Sequence, residues 1–370
     1  LWGSAIRTTV SAGSTQMVAG TATDTTVSAG GIQAFAGGTA VGTTVSSGGT
    51  QLLAGSDCRI TSNTLLAGAT QVLSEGAVLS GGTIDAGVTQ NVSSGGTTQD
   101  ETIAGTQNVL ASGTGMVRSL IGSGTQNVSG GGSGTVSTMS GGTQNVSSGG
   151  SGTVSTMNGG TQNVLASGTG TVNLLTGSGL QSIAAGGTGT AASLTSGGRQ
   201  IVVGTALDTT VGAGGEQVLS GTGWALTGNA LLSGGTQSLV AGATLSGGTI
   251  ASGVTQTVSS GGTAANMTVA EGGAQSVSLG AVVTDDTILS GAVLQLASGA
   301  GASLGGTTAL GGTLSISDSE TLAADINASK GATFAFAALS GNSYRTLTLT
   351  NLTGSASFLL RSDLANNASD

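Results

Sequence analysis

The stretch Ser140–Val164, SGGTQNVSSGGSGTVSTMNGGTQNV, says one thing almost twice. Residues 125–146 match residues 143–164 at an offset of 18 with two substitutions, Gly130 against Ser148 and Ser140 against Asn158. Outward from this pair, a Gln before an apolar stretch recurs at Gln16, Gln33, Gln51, Gln71, Gln90, Gln107, Gln126, Gln144, Gln162, Gln181, Gln200, Gln217, Gln237, Gln256, Gln275 and Gln295. The spacings run from 17 to 20 and average 18.6 over 15 intervals. A period of this size marks a solenoid, in which one short unit buries its apolar side only against its neighbours.

The unit has two halves, Thr-Gln-x-Val-x-x-Gly-Gly as in 143–150 and Thr-Val, four residues, then Gly-Gly as in 153–160. Helices do not fit it. Gly-Gly returns every nine or ten residues in the clearest copies, and each Gly costs a helix about 1 kcal/mol. The Val, Ile and Thr at recurring positions favour strands. Short strands broken by glycines at a near-constant period predict an all-β chain, a parallel β-helix with rungs of about 19 residues stacked about 4.8 Å apart. Alternation turns Val27, Val45, Val128, Val146 and Val164 inward and Asn91, Asn108, Asn127, Asn145 and Asn163 outward. It also turns the Gln column inward, unless a bend near Thr161 and its equivalents relieves it. Both amide columns read as self-bonding ladders, with a polar binding stripe as the alternative.

Composition agrees. Of 370 residues, 71 are Gly and none is Pro, which suits many tight turns between strands that need every N–H for ladder bonds. The chain is 37% hydrophobic and 6% charged, the reverse of a disordered segment. Aromatics are 2%, consistent with a narrow core. The net charge of −9 is diffuse and no basic patch exists, which argues against nucleic acid as a partner. Leu1 opens directly in repeat-like sequence, as expected of a mature product or an excised fragment.

Few reactive groups are available. With no His and one Cys, a Ser-His-Asp triad, a His metal site and a multi-thiolate zinc site are all excluded, and no cofactor is expected. Cys58 reads as a small core or turn residue. Asp100-Glu101 and Asp285-Asp286 are neighbours in sequence, so on a strand they face opposite ways and make no catalytic dyad. They read as solvated turns, as do Asp24 and Asp208. Trp2 and Trp224 read as packing residues rather than sugar platforms. A polysaccharide-processing β-helix would need a cleft lined by three or more carboxylates, and an ice-binding one a regular Thr-x-Thr array.

Residues 21–33, TATDTTVSAGGIQ, and 205–218, TALDTTVGAGGEQV, with the sixteenfold Gln-x-Val-x-x-Gly-Gly pattern over about residues 5–300, resemble the passenger repeats of AIDA-type self-associating autotransporter adhesins. The resemblance implies a right-handed β-helix and no enzymatic activity. It also implies export across the outer membrane of a Gram-negative bacterium to the cell surface. Its implied function is aggregation, biofilm formation or host adhesion, through other copies or through host or surface glycans or proteins. The translocator barrel of such proteins is absent here. The sequence divides into a stalk, 1–312, and a segment, 313–370, that holds three of the four Phe and the only Tyr and Lys. GSASFLLRSDLANNASD, 354–370, resembles the pertactin-like end of autotransporter passengers, which caps the helix and assists its folding; it stops where that family continues, as a truncation would. Some AIDA-type passengers carry heptose on Ser or Thr. That resemblance makes Ser47, Ser94, Ser148 and Ser260, the second Ser of each VSSGG, candidate glycosylation sites at rung corners.

Overall fold

The computed structural model describes residues 3–297, 303–337 and 346–359, with the short strands 362–363 and 368–369. Among them no helix occurs. Among the described residues the strands pair in parallel with their equivalents one repeat later, except that Ser362–Asp363 pairs antiparallel with Ala368–Ser369. The chain is thus an all-β parallel solenoid. It forms two compact units, Leu1–Ser193 with Gly204–Leu207, and Leu194–Val203 with Asp208–Asp370.

In the first unit, ten Gln residues from Gln16 to Gln181 stand in unbroken register. The rung 143–160 shows how each turn closes. Its three faces are 143–146, 151–154 and 156–157. They point Gln144, Val146, Gly152, Val154 and Met157 inward. The turn between the first two faces is closed by the Gly150 N–H donating to the Ser147 carbonyl at 2.9 Å. Val27, Val45, Val128, Val146 and Val164 are all fully buried, as alternation predicts. Fully burying each such side chain contributes about 1.5–3 kcal/mol, but only because the neighbouring rungs are there to cover it.

The alternation is strict, with no bend to spare the amides. Gln33, Gln51 and each column member from Gln90 to Gln181 are fully buried. The small residues opposite explain how a side chain this long fits. A Cβ placed on Gly152 would meet Val146 Cγ2 at 2.3 Å and Gln144 Oε1 at 2.8 Å; Gly134 and Gly170 are in the same position against Gln126 and Gln162. Glycine here provides room for an amide crossing the core, in addition to forming turns elsewhere.

In the second unit the column runs Gln200, Gln217, Gln237, Gln256 and Gln275. It continues as Leu294, Leu314, Phe334 and Phe358. Gln295 therefore does not belong to the column. Leu294 and Leu296 face in and Gln295 faces out, one residue away from where the repeat of glutamines puts it. Beyond Gly312 the rungs stay parallel, now built on the long strands Glu320–Phe336 and Leu347–Leu359, with Phe334 and Phe358 stacked at 4.8 Å and 8°. Trp2 and the Tyr344 of this segment lie outside the described residues. Trp224 is half-buried, and Cys58 is buried with its Sγ donating to the Ala54 carbonyl at 3.1 Å.

Candidate functional site

Inside the first unit the Gln side chains form one directed chain of bonds. Each Nε2 donates to the Oε1 of the Gln one rung earlier, from Gln33 onto Gln16 through to Gln181 onto Gln162, at 2.7–3.1 Å. The second hydrogen is used too. Gln126, Gln144, Gln162 and Gln181 reach the carbonyls of Gly115, Gly134, Gly152 and Gly170 at 3.2–3.4 Å. Four bonds of 2.9–3.2 Å repeat the pattern in the second unit. Each ladder leaves an end: Gln16 Nε2 lacks a partner, and so does Gln275 Oε1, whose next rung offers Leu294.

Outside, on the same strands, stands a second array. Thr89 and Asn91, Thr106 and Asn108, Thr125 and Asn127, Thr143 and Asn145, Thr161 and Asn163 are aligned over five consecutive rungs, all half-buried. The Asn amides are locked to one another at 2.8–2.9 Å, each donating to the rung before. The ladder spends one amide hydrogen and one lone pair per Asn and leaves the others directed outward at the rung spacing of about 4.8 Å. The array is confined to these five rungs; in the second unit the equivalent places hold Arg199, Glu216, Thr236, Thr255 and Ala274. Arg199 and Glu216 pair there at 2.8 Å.

Ser47, Ser94, Ser148 and Ser260 are exposed turn residues, but they do not share one corner: Ser94, Ser148 and Ser260 follow the Gln strand, whereas Ser47 follows Thr44–Val45 and precedes the strand of Gln51. Ser94 and Ser148 take a left-handed conformation, φ 48° and 51°, and the glycine after each of the four has φ between 74° and 81°.

The paired acids need a correction. They make no dyad, because their side chains part as expected, and Asp100 and Asp285 are exposed, but Glu101 and Asp286 are buried rather than solvated. Asp100 faces out with Arg118 Nε 3.9 Å from its Oδ1, while Glu101 is buried. Gln90 Nε2 donates to Glu101 Oε1 at 2.8 Å and Gln107 Nε2 to Oε2 at 2.9 Å, so this carboxylate bridges two rungs of the Gln ladder. Burial pushes its carboxyl up to about 7, against the lowering effect of the bonds from Gln90, Thr98 and Gln107. Asp286 is buried likewise; it accepts from the Met267 N–H at 2.8 Å and from Gln275 Nε2 at 2.9 Å, and burial raises its carboxyl as well. The signal for both lay in the repeat. TATDTTV, TALDTTV, TTQDETI and VVTDDTI align Asp24, Asp208, Asp100 and Asp285, all left-handed at φ 46–60°. A residue in that conformation re-aims the chain, so the next side chain, Thr25, Thr209, Glu101 or Asp286, points inward.

Among the described residues no three of His, Cys, Asp and Glu are grouped to hold a metal. The cavity that reaches Glu101 contains two carboxylates, Asp85 and Glu101, fewer than the three expected of a polysaccharide-cleaving cleft. No protein-family model matches the chain, and no curated protein matches it. Among solved structures, it is similar to the crystal structure of a TibC-catalyzed hyper-glycosylated fragment of TibA, residues 55–350. Identity is 28%, the match covers 81% of this chain and 98% of that one, and the TM-score is 0.49.

Proposed function

We propose that this chain is a surface-exposed adhesin of an exported type, and that it holds copies of itself together through the outward Thr and Asn columns of residues 89–163. The observation that carries the reading is the five-rung array. Its Asn amides are fixed in direction by their own ladder, so little side-chain freedom is lost when a partner arrives. Each rung offers weak, neutral hydrogen bonding, and the same offer repeated in register on a second copy adds by multivalency. Surface-bound polymeric glycans present the same repeating hydroxyl chemistry and are the other partner class in this reading. The test displays the passenger on bacteria and follows settling. Asn108→Lys, Asn127→Lys and Asn145→Lys together put three like charges on the face without touching the core. The triple variant is expected to stay suspended, whereas settling at the unmodified rate would discard this face as the adhesive one.

The corner serines fit a second part of the same reading. Ser47, Ser94, Ser148 and Ser260 are exposed beside a glycine, where a sugar can be carried without disturbing a strand. We infer that they are acceptors for a Ser/Thr glycosyltransferase, an idea that the resemblance to AIDA-type passengers motivates. Intact-mass measurement of the chain secreted from a host with such a transferase is expected to show mass above the polypeptide, reduced when the four are replaced by Ala. A mass equal to the bare polypeptide rules it out.

A further inference from the structure

One corner of the first unit is hollow. The inward places at this corner read Thr25, Thr43, Asn63, Gly82 and Glu101 in successive rungs. Gly82 supplies no side chain, and a Cβ built on it would meet nothing within 4 Å. A cavity of about 560 Å³ opens there, bounded by Asn63 in the rung before and Glu101 in the rung after. Its walls are mixed: Ile60, Leu65, Leu79 and Ile84 give an apolar patch, and hydroxyl side chains with the Asp85 carboxylate complete the lining. Two acceptors stand out at its inner end, Asn63 and Glu101. Asn63 Nδ2 is used on Gln51 Oε1 at 2.8 Å, and its buried Oδ1 has no partner. The Glu101 carboxylate takes one amide hydrogen on each oxygen and a bond from Thr98, which leaves part of its acceptor capacity unused. The ion pairs among the described residues are Arg118–Asp100 and Arg199–Glu216, and neither involves Glu101.

The chain contains its own comparison. LSGGTI occurs at 79–84 and again at 245–250, each time one rung after an Asn, Asn63 or Asn229. At the second copy the next rung brings Met267, whose Cε comes within 3.4 Å of a Cβ built on Gly248, and the cavity is about 350 Å³. There the orphaned Asn atom is a donor, Asn229 Nδ2. The first copy thus differs in three linked ways: a carboxylate in place of a thioether, an orphaned acceptor in place of a donor, and an unfilled gap.

We propose that the hollow corner at Gly82 binds a primary alkylammonium group. Its charge lies against Glu101, its N–H donors reach Asn63 Oδ1, and its hydrocarbon stem lies between Leu65 and Leu79. An ammonium has three donors and no acceptor, which suits a pocket whose unsatisfied groups are acceptors. A divalent metal needs several oxygen ligands grouped around it, and among the described residues no three of His, Cys, Asp and Glu are so grouped, while the patch of Leu65 and Leu79 favours a hydrocarbon stem. The site takes either a free amine or the side chain of a lysine on another molecule.

Calorimetric titration of the full chain at pH 8 separates these cases. n-Butylammonium is expected to bind saturably with Kd on the order of millimolar. Nα-acetyl-lysine amide binds with similar affinity if a partner's lysine is accepted, and much more weakly if the site serves free amines; either result supports an ammonium pocket. Glu101→Gln is expected to weaken binding tenfold or more, roughly the loss of one charged hydrogen bond. Ser80→Trp, at an exposed position on the rim, should block entry without touching the core. Met267→Leu, in the other corner, should change nothing. Absence of heat with butylammonium, equal binding to the Ser80→Trp variant, or displacement by equimolar sodium or potassium chloride would each overturn the proposal.

Discussion

Gln144→Leu is expected to lower the unfolding free energy of the first unit by about 3 kcal/mol, and Gln16→Leu by about half as much. Each orphaned buried amide group costs roughly 1–3 kcal/mol. Leucine at 144 removes the acceptor of Gln162 Nε2 and the donor to Gln126 Oε1, both fully buried. Better apolar transfer offsets part of that loss. At residue 16 the ladder has already ended. Gln16 Nε2 has no partner to lose, and only Gln33 Nε2 is orphaned. The comparison matters more than either value, because both changes remove the same atoms. Urea unfolding of the two variants beside the unmodified chain measures it. Equal costs at the middle and the end would mean that the amides act singly and that their directed chain adds nothing. The ladder is also a register device. A rung slipped by one residue would bury Thr143 and Asn145 in place of Gln144 and break bonds on both sides, so a polar core stripe selects one stacking where an all-valine core would tolerate several.

Much of this was legible in the sequence, for a physical reason. A solenoid repeats its local chemistry, so the period, the inward valines and the outward asparagines follow from alternation alone. Alternation also gave the correct answer for the Gln column, where a relieving bend was the intuitive escape. What made burial tolerable, the amide chain and the glycines opposite it, is a contact between different faces and different rungs, and a linear pattern does not display it. Gln295 shows the opposite error. Its spacing fits the column, but Val293-Leu294-Gln295-Leu296 has period two, and two leucines outcompete one amide for the inside. Reading each acidic pair as a solvated turn misses Glu101 and Asp286, which are buried. The left-handed residue at Asp100 and Asp285 turns the next side chain into the core, and alignment with the Thr25 and Thr209 corners reveals it. The outward Asn column was visible; its restriction to five rungs matters only once the register fixes them as consecutive neighbours.

Glu101 should make the first unit less stable as the solution turns from acid to neutral, against the usual behaviour of a folded carboxylate. Its carboxyl is pushed up to about 7 from an ordinary 4.5, chiefly by burial. The folded state therefore holds the proton more tightly than the unfolded chain. The group costs nothing below its unfolded value, because both states are protonated there. The cost grows as pH rises from about 4.5 to about 7 and is constant above that. Each unit of difference is about 1.4 kcal/mol, so the full swing is roughly 3 kcal/mol. Asp286 contributes in the same direction in the other unit, so the pH profile of the chain alone does not isolate Glu101. The Glu101→Gln variant does. Glutamine cannot titrate, and its altered hydrogen bonding is the same at every pH. The stability of the variant minus that of the unmodified chain is expected to rise by roughly 3 kcal/mol between pH 4.5 and 8, read from urea unfolding at matched ionic strength. A difference that stays flat across that interval would show that the carboxylate is solvated after all. Saturating butylammonium at pH 8 should shrink the difference, since a bound cation stabilises the ionised form that the empty pocket penalises.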